Sequence, residues 1–186
     1  MKTNSIDNYL LEALTPEKLI HTEGVVHMAI KLAKIHGANV KKARIAAKYH
    51  DLAKCFDDAK LNSYVKYYKL PVKYIGKPNL SHGKVAAEII KYKFNITDEE
   101  ILDAIRYHTT LREDMTLMDK IIYVADAIEV NRVYDGLDEL RELAYADIDK
   151  ACIKIIDNTI ERVNKKGGYL DQDTLKAKEY YEKGGI

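Results

Sequence analysis

The run Ala46-Ala47-Lys48-Tyr49-His50-Asp51-Leu52-Ala53-Lys54 sets an imidazole beside a carboxylate at the inner edge of an apolar helix. Small apolar residues at 43, 46 and 47 put His50 on their own face at helical spacing. Such groups are costly there unless something satisfies them. Two things can: local hydrogen bonds, with His50 a core histidine and Asp51 a helix-end carboxylate, or a divalent metal, for which both side chains are good ligands. The dipeptide by itself fits the first reading.

Four more groups shift the balance. His21 shares a stripe with Val25, Met28, Leu32 and Ile35. His82 opens the apolar face of Val85, Ala86, Ile89 and Ile90, and His108 follows Ile101 and Ile105 at helical spacing. Asp126 lies four residues after Ile122, along the face of Leu117, Ile121, Val124 and Ile128. Of the six histidines only His27 and His36 fall off these stripes, and both read as surface or edge residues. Separate hydrogen-bonding solutions for so many buried titratable groups are hard to build, whereas one shared metal cluster satisfies all of them.

The elements that must carry these side chains are helices. Residues 5–14 form a short one. Thr15-Pro16-Glu17 starts the next as N-cap and first-turn proline, and Gly37 stops it. Asn39 caps the helix ending in His50-Asp51, and residues 57–69 make a tyrosine-rich helix. Pro71, Gly76 and Pro78 mark residues 71–80 as the longest loop, with Ser81 capping the helix that begins at His82. Thr97-Asp98-Glu99-Glu100 reads as a capping box, Thr116 opens the helix of Asp126, and Asp135-Gly136 marks a turn. Asp147 caps a last long helix with Val163 on its inner side; Gly167-Gly168 ends it, and residues 173–183 form a terminal helix. No alternation of strand and helix patterns appears, so the expected fold is all-α, a single helical domain over residues 1–186 with its core at about 15–165 and a helical extension at 166–186.

Composition narrows the function classes. The chain has 186 residues, 47% apolar and 32% charged, with nine glycines and three prolines, a balance that suits a packed helical protein. A net charge of +1 gives no global pull toward nucleic acid or an anionic membrane, and no uncharged run is long enough to cross a bilayer. Cys55 and Cys152 form no CxxC pair, and the first eight residues lack the apolar core of a signal peptide, so a cytoplasmic protein with reduced thiols is expected. Phosphate-loop, dinucleotide-fingerprint, nucleophile-elbow and HExxH patterns are all missing.

The order His21 … His50-Asp51 … Asp126 resembles that of the HD-domain metal-dependent phosphohydrolases. The segments around His21-Thr22-Glu23-Gly24-Val25, Ser81-His82-Gly83, Ile105-Arg106-Tyr107-His108-Thr109-Thr110 and Ala125-Asp126-Ala127-Ile128-Glu129-Val130-Asn131-Arg132 are similar to its YqeK-type branch. That resemblance implies a hydrolase that splits diadenosine tetraphosphate symmetrically into two ADP, with iron as the metal and a homodimer as the assembly. It implies one metal on His21, His50, Asp51 and Asp126, and a second on His82 and His108 with Asp51 bridging. Lys54, one turn beyond Asp51, is assigned to a phosphate oxygen or the leaving ADP, Arg132 to a second phosphate contact and Thr109 to a phosphate hydrogen bond; Arg106 and Arg112 are weaker candidates with surface charge the commoner role. Alternatives are the same centre acting on nucleoside mono- or triphosphates or a cyclic nucleotide, a metal- and nucleotide-sensing module without turnover, and a metal-free scaffold.

Overall fold

The computed structural model describes residues 5–184. Residues 1–4, half of the segment read for a signal peptide, and residues 185–186 lie outside it. Among the described residues the chain is all-α: α1 (Ile6–Ala13), α2 (Pro16–His36), α3 (Val40–Tyr49), α4 (Asp58–Tyr67), α5 (Pro78–Phe94), α6 (Glu99–Tyr107), α7 (Leu117–Ile128), α8 (Leu137–Ala146), α9 (Ile148–Lys165) and α10 (Gln172–Glu182), with one 3₁₀ turn at Val72–Tyr74. None of these helices is long and apolar enough to cross a membrane.

Local chemistry sets most helix ends. Thr15 accepts from the Lys18 amide and Pro16 occupies the first turn of α2, which stops at Gly37 in the left-handed region at φ 75°. Asn39 accepts from the amides of Lys41 and Lys42 to start α3, Thr116 and Asp119 cap α7 reciprocally, and Asp147 accepts from the Lys150 amide to start α9.

Several boundaries differ from the expected ones. α5 begins at Pro78 rather than at a Ser81 cap, because proline suits a first helical turn; the 71–80 loop is thereby shortened and also contains the 3₁₀ turn. Ser81 is fully buried inside the helix. The α6 cap is Asp98, whose carboxylate accepts from the amides of Glu100 and Ile101, not Thr97. α8 was not expected; its cap is Gly136 at φ 78°, which offers no side-chain signal, although Leu137, Leu140 and Ala144 are buried at helical spacing. Ile35 is 45% exposed, since the α2 stripe drifts off the core before the helix ends, and Val163 is only half-buried.

α7 lies between α2, α6 and α9, while α3 packs on α2 and α6, and α5 packs on α6. Ala43, Ala46 and Ala47 are fully buried, and their small side chains let α3 approach α2 closely. Leu32, Leu52, Ile89, Ile105, Ile121 and Ile122 fill the core at 1% exposure or less, each contributing about 1.5–3 kcal/mol of transfer free energy. α10 is docked on this core: Thr174 donates to the Thr110 carbonyl at 2.8 Å, and the Tyr181 hydroxyl accepts from the Met115 amide at 2.8 Å. This packing brings together the start of α2, the end of α3, the first turns of α5, the end of α6 and the last turn of α7.

Candidate metal centre

Those five helix segments carry His21, His50-Asp51, His82, His108 and Asp126, and their side chains converge. Asp51, 4% exposed, is the hub. Its Oδ1 lies 3.0 Å from His82 Nε2 and 3.4 Å from His108 Nε2; its Oδ2 lies 3.7 Å from His50 Nε2 and 4.0 Å from His21 Nε2. One carboxylate oxygen thus faces one pair of imidazoles and the other oxygen faces the second pair. Asp126 Oδ1 stands 3.1 Å from His21 Nε2. Donor atoms of His21, His50 and Asp126 lie within 4.8 Å of one another, and so do those of His50, Asp51 and His108.

The orientation of the rings says what this cluster suits. His50 Nδ1 donates to the Ala47 carbonyl at 2.7 Å, His82 Nδ1 to the Pro78 carbonyl at 3.0 Å and His108 Nδ1 to the Ile105 carbonyl at 2.8 Å. His50 and His108 sit at the C-terminal ends of α3 and α6, where the last carbonyls have no helical partner. A neutral ring that donates through Nδ1 presents a lone pair at Nε2. His82 Nε2 and His108 Nε2 then face each other at 3.1 Å, lone pair to lone pair, with Asp51 adding a third acceptor. Among the described residues the buried Nε2 atoms of His21 and His50 have no hydrogen-bond partner; His21 Nε2 is close to Asp126 but not aligned for one. Acceptors crowded in this way fit a cation among them, and four imidazoles with two carboxylates are a good donor set for a divalent transition metal.

The charge states of His50 and His82 agree with that arrangement. Burial pushes the His50 imidazole down to about 4 and lowers that of His82, so both favour the neutral, ligating form. Burial alone would raise the Asp51 and Asp126 carboxyls, but in acid, where the surrounding imidazoles gain charge, those rings outweigh it and hold both below the ordinary carboxylate range. For His21 burial opposes protonation, and the Asp126 and Glu129 carboxylates overcome it and raise the ring.

Cations ring the centre. Lys54 Nζ reaches 3.5 Å from His82 Nε2, and the Thr109 hydroxyl lies 3.1 Å from His108 Nε2. Arg132 is held on Asp126, donating to its Oδ1 at 2.8 Å and to its carbonyl at 3.0 Å. Lys54, Thr109 and Arg132 therefore lie beside the six candidate ligands. Arg106 and Arg112 do not: Arg106 pairs with Asp103 and Glu88, and Arg112 with Asp119 and Asp103. His27 is a surface residue paired with Glu23, while His36 donates to the Ala144 carbonyl at 2.8 Å and so ties α2 to α8.

Two neighbours of the centre were not singled out. Lys18 Nζ lies 3.8 Å from Asp51 Oδ2, and its signal was its place three residues before His21 on one helix face. Glu129, 2% exposed, holds His21 Nδ1 at 3.1 Å across 108 positions of sequence, a relation with no local signature.

Comparison with known proteins agrees with this geometry. The HD domain family matches residues 19–131. The chain is 43% identical over 165 residues to a protein of Bacillus subtilis (strain 168) named symmetrical bis(5'-nucleosyl)-tetraphosphatase, spanning 88% of this chain and 89% of that protein. A protein of the same name from Staphylococcus aureus is 34% identical over 91% of this chain and 89% of its own length. A crystal structure of a predicted HD superfamily hydrolase involved in NAD metabolism, from Clostridium acetobutylicum, superposes with a TM-score of 0.91 at 38% identity, covering 96% of this chain and 97% of the other. The chain belongs to the HD-domain family, in the branch formed by the proteins named symmetrical bis(5'-nucleosyl)-tetraphosphatase.

Proposed function

We propose that the protein hydrolyses diadenosine tetraphosphate at its central anhydride, releasing two ADP. The observation that carries this is the convergence of four Nε2 atoms and two carboxylates on one buried point rimmed by Lys18, Lys54 and Arg132, in a chain whose relatives bear the name of that activity. His21, His50, Asp51, His82, His108 and Asp126 would hold the metal. The division of imidazoles between the two Asp51 oxygens supports a dinuclear arrangement with Asp51 shared, and the family resemblance supports iron. When bound, the metal supplies Lewis acidity toward phosphoryl oxygens and lowers the pKa of water.

The rest is done by the chain. A tetraphosphate carries several negative charges, and Lys18, Lys54 and Arg132 offer three cations around the cluster to bind it. Arg132 is already oriented by its two bonds to Asp126, so little freedom is lost when it meets phosphate. Water attacks one of the two inner phosphorus atoms and gives up its proton to solvent, the central P–O bond breaks, and the departing oxygen keeps the electron pair, leaving two ADP. Lys54, beside His82, is placed to stabilise that oxygen as charge develops, while Thr109 offers a hydroxyl to a phosphate oxygen beside His108. Asp51 acts as the anionic centre that orients the ring pairs. A cytoplasmic location and assembly as a homodimer belong to the same reading, supported by the resemblance.

Product analysis tests this. Protein supplied with manganese or ferrous iron and diadenosine tetraphosphate should give ADP as sole nucleotide product. AMP with ATP would overturn symmetric cleavage, and turnover of nucleoside mono- or triphosphates or a cyclic nucleotide in its place would overturn the substrate.

A further inference from the structure

Three of the four imidazoles are anchored by carbonyls of their own helices, at Ala47, Pro78 and Ile105. His21 is different. It sits inside α2, and its Nδ1 is held by Glu129, 108 positions later in sequence at the end of α7. We infer that Glu129 is a positioning residue that sets the His21 ring for metal binding and, through the same carboxylate, fixes the turn that presents Arg132, with Gly24 as the seat that admits it.

Both oxygens of Glu129 are engaged. Oε1 accepts from His21 Nδ1 at 3.1 Å, and Oε2 accepts from the Asn131 amide at 2.6 Å. The Asn131 contact closes the turn, so that the next residue, Arg132, lies on Asp126. Arg141 secures the backbone from outside, donating to the carbonyls of Ile128 at 3.0 Å and Glu129 at 2.9 Å. Gly24 lies one turn beyond His21 on α2. A Cβ there would meet Glu129 Oε2 at 2.2 Å and Asn131 Nδ2 at 2.9 Å, so a side chain at this position and a carboxylate in this pose exclude each other. A histidine ligand whose outer nitrogen donates to a buried carboxylate has its tautomer and ring plane fixed, and loss of such a partner typically weakens metal binding about 10- to 100-fold.

This inference rests on the metal-centre reading above. Glu129→Gln keeps the volume but has one acceptor for two donors: either His21 Nδ1–H or the Asn131 amide must face an NH₂ group. With manganese(II) as the probe, E129Q should raise the metal Kd about 10- to 100-fold, with a far-UV spectrum like that of the wild type. In chelator-treated protein at alkaline pH, where the ring is neutral, ¹⁵N spectra should show His21 with its proton on Nδ1, and E129Q should disturb that tautomer while leaving His50, His82 and His108 unchanged. In an H21A background E129Q should cost no further metal affinity. G24A should reproduce the E129Q affinity loss; if G24A fails to fold, the E129Q and double-variant results stand without it. An unchanged Kd in E129Q, or an equal loss with and without His21, would overturn the positioning role. Wild-type protein that takes up no metal would instead sink the underlying centre.

Discussion

Replacing Asp51 with asparagine should make the metal-free protein more stable, not less. Asp51 Oδ1 lies 3.0 and 3.4 Å from Nε2 atoms whose rings, in neutral form, donate through their other nitrogens to main-chain carbonyls. Acceptor faces acceptor at a site 4% exposed. An amide of the same shape turns one of these oppositions into a donor–acceptor pair and removes a buried charge. A net hydrogen bond contributes about 1 kcal/mol, and relief of the charge brings the gain to about 1–3 kcal/mol. The lost contact with Lys18 subtracts under about 1 kcal/mol, because that lysine is partly exposed. At about 2–4 °C per kcal/mol for a chain of this size, chelator-treated D51N should melt about 3–8 °C above wild type at pH 8. Metal reverses the order. A ligand at one hundred times its Kd stabilises by about 2.7 kcal/mol, so wild type should gain about 5–10 °C on adding manganese while D51N gains little. Thermal unfolding followed by circular dichroism, with chelator and with metal, measures both. D51N melting below wild type in chelator, or equal gains on adding metal, would refute the argument.

Asp126→Ala should abolish hydrolysis and lower metal content measured by elemental analysis, whereas His27→Ala should leave turnover within about twofold; His36→Ala should also keep turnover but lose about 1 kcal/mol of stability in urea unfolding, because it removes the bond to Ala144. Lys18→Ala and Lys54→Ala should each reduce turnover, with metal content unchanged by the same elemental analysis. The His50 ring falls from its ordinary 6.5 to about 4 on burial, so the unfolded chain takes up a proton there that the fold refuses; that stability is complete above pH 6.5 and is lost as pH falls to 4, about 3 kcal/mol at 1.36 kcal/mol per tenfold. Urea unfolding of chelator-treated wild type and His50→Asn at pH 7 and pH 4.5 should show the steeper acid loss in wild type.

What could be read from the chain alone follows the range of the forces involved. Thr15-Pro16, Asn39, Thr116 and Asp147 announce helix starts because a cap bonds within three residues. The six candidate ligands were legible because each interrupts an apolar stripe, and burial of a polar group demands a reason. α8 is hard to read because its cap is a glycine, and the start of α5 is obscured because Pro78 opens it without a side-chain cap while the cap-type residue Ser81 lies inside the helix. Lys18 is legible from its helix face, three residues before His21. Glu129 was not readable at all: it follows α7 as an ordinary surface-type residue, and only tertiary packing against His21 and Gly24 gives it a purpose.

The anchoring of the four rings also bears on how the enzyme matures. As the chain leaves the ribosome, His50 and His108 can be aimed as soon as α3 and α6 form, and His82 as soon as α5 does, since each leans on a carbonyl within four residues. His21 is synthesised first yet is set last, when Glu129 arrives. A fully set centre is thereby tied to arrival of the turn after α7, and nascent chains that stop short of α7 lack both Asp126 and the Glu129 anchor.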